Sequence, residues 1–132
     1  MDRAEIEQRV RNVYEAIAAG DPESAATGFS PDIVWHVPGD NPVAGEYVGR
    51  DYFTTMPEQM GPLDRWDITL TSVETNERSQ SALVSFDVVG DRRGVHVEMR
   101  GHHMVRLGED GRIVEGWGFA EDQDALDEFF RA

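Results

Sequence analysis

The 132-residue chain contains no cysteine and no lysine; all 12 of its basic residues are arginine. The first absence excludes disulfides, thiolate nucleophiles and cysteine zinc sites, and leaves the redox compartment unreadable. Histidine is scarce, with four residues in no zinc-motif spacing, so no metal site is expected. Gly-x-Ser-x-Gly, Walker and dinucleotide-binding patterns are missing, so no cofactor is expected either. No apolar run approaches the ~20 residues that span a bilayer. The N-terminus, Met-Asp-Arg-Ala-Glu-Ile-Glu, is charged from its second residue and lacks the apolar segment of a signal peptide. The expectation is a soluble, cytoplasmic protein. Its net charge of -14 disfavours nucleic acid and anionic membranes as partners. Adaptation to high salt and a GC-rich coding bias are both compatible with that acidity and with the missing lysine.

Length and periodicity point to one domain over residues 1–132. Ile6, Val10, Val13 and Ile17 repeat as one face of a helix over 2–19. Gly20 stops it, and Asp21-Pro22-Glu23 opens a short second helix that runs to about Gly28. Ile33–Val37 reads as a strand. Residues 38–49 read as a structured loop with a small hairpin near Glu46-Tyr47. Arg50–Met60 reads as helical, interrupted at Pro57. From Asp67 the period becomes two, with strands at 67–75, 80–90, 94–107 and 112–119, separated by short polar or glycine-rich turns. Residues 121–131 form a last helix with Leu126, Phe129 and Phe130 on its apolar side. Helices followed by an antiparallel meander give an α+β domain with helices packed on a curved sheet.

The meander has two unlike faces. Ala82, Val84, Phe86 and Val88 share one with Val95, Val97, Met99 and Val105. Ser85, Asp87, Glu98, Arg100, His102 and Met104 share the other. A turn centred on Arg92-Arg93 that pairs Gly90 with Val95 sets Asp87 opposite Glu98 and Ser85 opposite Arg100. Two arrangements are open. Either the polar face meets water and the apolar face packs on the helices, or the polar face lines a cavity and the apolar face is covered by a second copy. In the cavity arrangement, acids, an arginine and histidines in low dielectric have the shifted pKa values that acid–base chemistry needs. His36 is either a structural histidine or a member of such a site. Asp122 is either an N-cap of the last helix or an acid–base group.

The segments Val34-Trp35-His36-Val37-Pro38-Gly39, Ala44-Gly45-Glu46-Tyr47-Val48-Gly49-Arg50-Asp51, Asp110-Gly111-Arg112-Ile113-Val114-Glu115-Gly116-Trp117 and Asp122-Gln123-Asp124-Ala125-Leu126-Asp127 resemble the SnoaL-like branch of the nuclear transport factor 2-like superfamily. Ketosteroid isomerase, limonene epoxide hydrolase and polyketide cyclases are among its members. The resemblance covers nearly the whole chain. It implies a cone-shaped antiparallel sheet around a pocket, often dimerised through the sheet. It does not imply one reaction, because the fold hosts many. By resemblance to the epoxide hydrolases and cyclases, Asp122 is the general base. Asp87 and Arg100 orient the substrate or stabilise an oxyanion, although the Arg-x-Asp pair of the hydrolases reads Ser85-Phe86-Asp87 here. His36 positions water. His102, Trp35, Trp117, Phe119, Val34 and Ser85 line the substrate site. Against the ketosteroid isomerase pattern, Tyr14 is expected about one residue out of phase, the second aspartate's place falls near His102-His103, and the base's place falls near Val37. The expectation is a cofactor-independent isomerase, cyclase or hydrolase acting on a small apolar molecule. A non-catalytic ligand-binding or dimerisation module is the alternative.

Overall fold

The helical rhythm at the N-terminus is realised as α1 (Arg3–Ala18) in the computed structural model, which describes residues 1–132. Asp2 caps it, its carboxylate accepting from the Glu5 amide at 2.8 Å, and Ile6, Val10, Val13 and Tyr14 form the buried face. Asp21 caps α2 (Pro22–Ala26), which has Pro22 in its first turn. Then follow β1 (Phe29–Val37), β2 (Gly45–Val48), a single 3-10 turn at Gly49–Tyr52 and α3 (Thr55–Met60). Arg50–Met60 is thus two short pieces rather than one helix. Pro57 lies within the first turn of α3, where its missing N–H costs nothing. Four strands, β3 (Arg65–Asn76), β4 (Ser81–Arg92), β5 (Val95–Leu107) and β6 (Ile113–Ala120), lead to α4 (Gln123–Arg131). No helix is long and apolar enough to cross a membrane.

The six strands form one sheet in the order β2-β1-β6-β5-β4-β3. The meander is antiparallel as expected, but β1 joins it in parallel beside β6, with Trp35 opposite Gly116 and His36 opposite Trp117. The β4–β5 register differs from expectation by two residues: Arg92 pairs with Val95, Asp87 with Arg100 and Ser85 with His102. The cause is local. Arg93 (φ 48°) and Gly94 (φ 82°) both adopt left-handed backbone, the signature of a two-residue type I′ turn matched to strand twist. A slip of two preserves parity, so each side chain keeps its expected face.

Which face looks inward is a correction. Ala82, Val84, Phe86, Val88, Val97 and Val105 are buried at 5% exposure or less, against the helices. Asp87, Glu98 and Arg100 are exposed on the outer face. The apolar face is therefore the concave one, because α1 and α4 supply it with partners: Ile6, Val10 and Val13 from α1, Phe129 and Phe130 from α4. Burying such residues stabilises by about 25 cal/mol per Å² of apolar surface, and no comparable gain offsets the desolvation of charges in their place.

One buried acid pins the open end of the sheet. Asp127 on α4 accepts from the Asp40 amide (3.1 Å), Asn41 Nδ2 (2.7 Å) and Gln123 Nε2 (2.9 Å). Asn41 in turn accepts from the Val43 and Ala44 amides, so loop 38–44 is tied to α4. Burial raises the Asp127 pKa, but the hydrogen bonds from Gln123, Asn41 and Asp40, with the Arg131 charge, outweigh it and hold the carboxyl below its ordinary value. A depressed folded pKa means stability that is present above about pH 4 and is lost as pH falls through the folded value. Asp127→Ala is expected to cost about 1–3 kcal/mol at neutral pH, measured by urea denaturation, and to lose less further stability below about pH 4 than the parent. An unchanged midpoint at neutral pH contradicts the pinning role.

Candidate functional site

Between the concave face and α1, α3 and α4 lies a cavity of about 240 Å³. Gly118 and Ala120 of β6 and Gly101 of β5 form its floor. Gly116 faces the same way, next along β6. A side chain at Gly116 would put its Cβ 2.2 Å from the Trp35 ring, and one at Gly101 would meet Phe86 at 2.6 Å. The missing side chains leave room for both aromatic rings. Seventeen of the twenty-two lining residues are hydrophobic, and none is a carboxylate.

The polar side chains inside converge at one place. Tyr14 Oη is 2.6 Å from His103 Nδ1. His103 is held edge-on by Trp35 (centroids 4.9 Å apart, 84°) and Phe86 (4.6 Å, 64°). Burial, reinforced by the neighbouring His102, pushes the His103 pKa down to about 3. Burial, with a contribution from Tyr52, raises the Tyr14 pKa well above its usual value. The pair is therefore neutral throughout the physiological range. A neutral imidazole has one donor and one acceptor nitrogen, so the bond can run in two senses. In one, Tyr14 O–H donates to Nδ1 and the ring proton sits on Nε2. In the other, Nδ1–H donates to the phenol oxygen, leaving the phenol hydrogen and the Nε2 lone pair free. Each sense leaves one hydrogen uncommitted. Tyr52, from the 3-10 turn, adds a second phenol. Its ring packs on Trp35 (5.0 Å) and Phe29 (5.4 Å), and burial raises its pKa too.

Of the residues singled out from sequence, Trp35 (3% exposed) is a cavity wall. Arg100 and Phe119 touch the cavity edge but are exposed. The rest stand elsewhere. Val34, His36, Ser85, Asp87, His102 and Trp117 occupy outward positions in the ladder. His36 Nε2 meets Glu115 at 2.8 Å and stacks on Trp117. His102 Nδ1 meets Ser85 Oγ at 2.8 Å. Asp122 is exposed, and its carboxylate caps α4 by accepting from the Ala125 amide at 3.1 Å. The expected grouping of Asp122, Asp87, Arg100 and His36 around one enclosed space is thus corrected: the same β5 parity that turns Arg100 and His102 outward turns His103 inward. Tyr14, His103 and Tyr52 were missed. Signals pointed to the first two: Tyr14 lies four residues after Val10 on the buried helical face, and His103 shares parity with Val97, Met99 and Val105. Tyr14 is also in phase with the cavity, contrary to expectation, while Val37 lines it as an apolar residue.

The depressed His103 pKa has a consequence for stability. Between about pH 6.5 and 3 the unfolded chain binds a proton at residue 103 that the folded chain does not. Stability from this group is complete above about pH 6.5 and declines as pH falls, by up to about 1.4 kcal/mol per unit. In urea denaturation between about pH 7 and 5, His103→Asn is expected to show a shallower loss of stability than the parent. Equal slopes contradict a neutral imidazole held inside the cavity.

Residues 10–116 match the SnoaL-like domain family. Among curated proteins nothing matches the chain. Solved structures with the same fold include a protein of unknown function with a cystatin-like fold from Xanthomonas campestris (25% identity, TM-score 0.86, covering 96% of this chain and 98% of that one). An NTF2-like protein from Burkholderia pseudomallei aligns over 100% of both chains at 18% identity and TM-score 0.84. A polyketide cyclase homologue from Xanthomonas campestris pv. campestris aligns over 97% and 98% at 16% identity and TM-score 0.73. The family match over most of the chain places it in the SnoaL-like domain family, and its six-stranded sheet and helices have the fold of the NTF2-like structures.

Proposed function

We propose that the protein is a cofactor-independent acid–base enzyme, an isomerase or cyclase, for a small and largely apolar molecule that carries one carbonyl or hydroxyl oxygen. The observation that carries this reading is the neutral Tyr14–His103 pair, hydrogen-bonded at 2.6 Å in an otherwise apolar cavity. A ligand oxygen takes the hydrogen that the pair leaves uncommitted, and Tyr52 offers a further donor. As charge develops on that oxygen, donors already fixed in a dry site stabilise it without reorganisation.

The proton balance follows from burial. Imidazolium is disfavoured at His103, so a proton taken at Nε2 has to be matched by one released at Nδ1. The released proton passes to Tyr14, whose own hydrogen goes to the substrate oxygen. The carbon–hydrogen bond breaks toward Nε2, the oxygen gains a hydrogen, and the ring changes tautomer without acquiring charge. The reverse sequence returns the proton to a different carbon. An epoxide-hydrolase reaction is less well supported, since Asp87 and Asp122 stand outside the cavity and cannot flank a common water. The absence of a cavity carboxylate favours one further reading, a carrier that holds the same ligand without turning it over.

The outer face of the sheet fits a second copy of the chain. Phe119 and Val48 are each 56% exposed and Met104 36%, beside the His36–Trp117 stack. We propose a homodimer through this face, with neither nucleic acid nor membrane as a partner.

Enzyme and carrier separate in one experiment. A cyclic ketone bound in heavy water is expected to exchange its α-hydrogens, followed by proton NMR. Tyr14→Phe slows the exchange by about 10²–10³, and the rate is flat between about pH 5 and 9, since His103 titrates far below that range and Tyr14 above it. Binding without exchange favours the carrier. For binding alone, Tyr14→Phe is expected to weaken naphthol by about 1–3 kcal/mol and to leave naphthalene unchanged. Equal effects on both ligands remove Tyr14 from oxygen recognition.

A further inference from the structure

A second apolar hollow, of about 320 Å³, lies between the turn from α1 to α2 and residues 52–57. It shares three lining residues with the main cavity: Ile17, Tyr52 and Met56. Beyond that partition the hollow is formed mainly by Pro22, Ala25, Phe29 and Phe53. Its one acid, Asp21, is committed to capping α2, with both oxygens engaged by Ser24. Apart from Tyr52 on the shared wall, no side chain there is free to recognise a polar group.

The three partition residues are not equally fixed. Ile17 is a branched residue on α1, stiff at χ1 in a helix. The Tyr52 ring is packed by Phe29, Trp35 and Phe53 at centroid distances of 5.0–5.4 Å. Met56 has neither constraint. It is unbranched, polarizable and adaptable, and sits in α3, a six-residue helix that has no side-chain cap and no buried residue.

We infer that the hollow is the second compartment of the ligand site, that Met56 is its movable partition, and that the ligand carries an apolar chain into it beside its oxygenated end. The last clause follows from Tyr52, which packs on Trp35, the ring that also holds His103, and lines both spaces. The inference rests on the reading of Tyr14, His103 and Tyr52 as the oxygen-binding end, and it makes Met56 the residue that selects for chain length.

The test uses ortho-cresol and ortho-hexylphenol as short and long probes, titrated by calorimetry into the parent, Met56→Ala and Met56→Phe. The ratio of long-probe to short-probe affinity is expected to rise in Met56→Ala, by about fourfold for each methylene newly enclosed, and to fall in Met56→Phe. An unchanged ratio across the three proteins overturns the compartment while leaving the polar end intact. Loss of all phenol binding instead refutes the oxygen-binding reading. A readout that needs no polar group decides the compartment in either case. Xenon fills dry apolar cavities, so crystals of Met56→Ala under xenon are expected to show density running continuously from the cavity into the hollow. Two separated xenon sites overturn the inference.

Discussion

The hydrogen bond between Tyr14 and His103 joins α1 to the middle of the sheet at the one place where their apolar contact is interrupted by polarity. Two groups that would each be costly to bury alone satisfy one another at 2.6 Å. Around them everything is apolar and tightly shaped: Trp35 and Phe86 hold the imidazole edge-on, and glycines at 101 and 116 leave the space in which those rings lie. The cavity exists because β6 fills this part of the concave side only with Gly118 and Ala120. The chemistry proposed for it rests on the one hydrogen that the Tyr14–His103 bond leaves unspent.

Charge is segregated accordingly. The chain carries a formal net charge of -14, yet no carboxylate reaches the cavity. The acids stand on the convex face, at caps and in ion pairs: Asp122 at the N-cap of α4, Glu115 between His36 and Arg106, Asp91 beside His96. Desolvation explains the division, since an unpaired carboxylate on the concave side would lose its hydration with nothing to replace it. The single buried acid, Asp127, accepts three hydrogen bonds. A neutral phenol–imidazole pair escapes that cost, and it is the pair that stands in the cavity in place of the carboxylates expected from the family resemblance.

Much of the fold was legible in sequence because its signals are local. The α1 rhythm, the caps Asp21 and Asp122, and the alternation of the long strands all predicted elements close to those observed. Strand parity was legible too, and it survived a register slip of two caused by the Arg93-Gly94 turn. What periodicity does not contain is which face of a sheet is concave. Both faces of β5 carry residues capable of chemistry, and the polar one drew the assignment to Asp87, Arg100 and His102. The family resemblance strengthened that error by aligning functional aspartates with Asp87 and Asp122, residues whose side chains here face outward or cap a helix. His103, one residue from His102, is the residue the cavity encloses. The parallel pairing of β1 with β6 is likewise non-local and left no trace in the chain's pattern.

The proposed chemistry requires a neutral imidazole at residue 103, bonded to Tyr14 inside the cavity. Nitrogen NMR of the four histidine side chains, followed from about pH 8 to 4, observes this directly. The His103 signals are expected to stay those of a single neutral, hydrogen-bonded ring over the whole range, and to shift when a phenol binds. A His103 ring that takes up its proton near the ordinary value of about 6.5, or that ignores the phenol, contradicts the account.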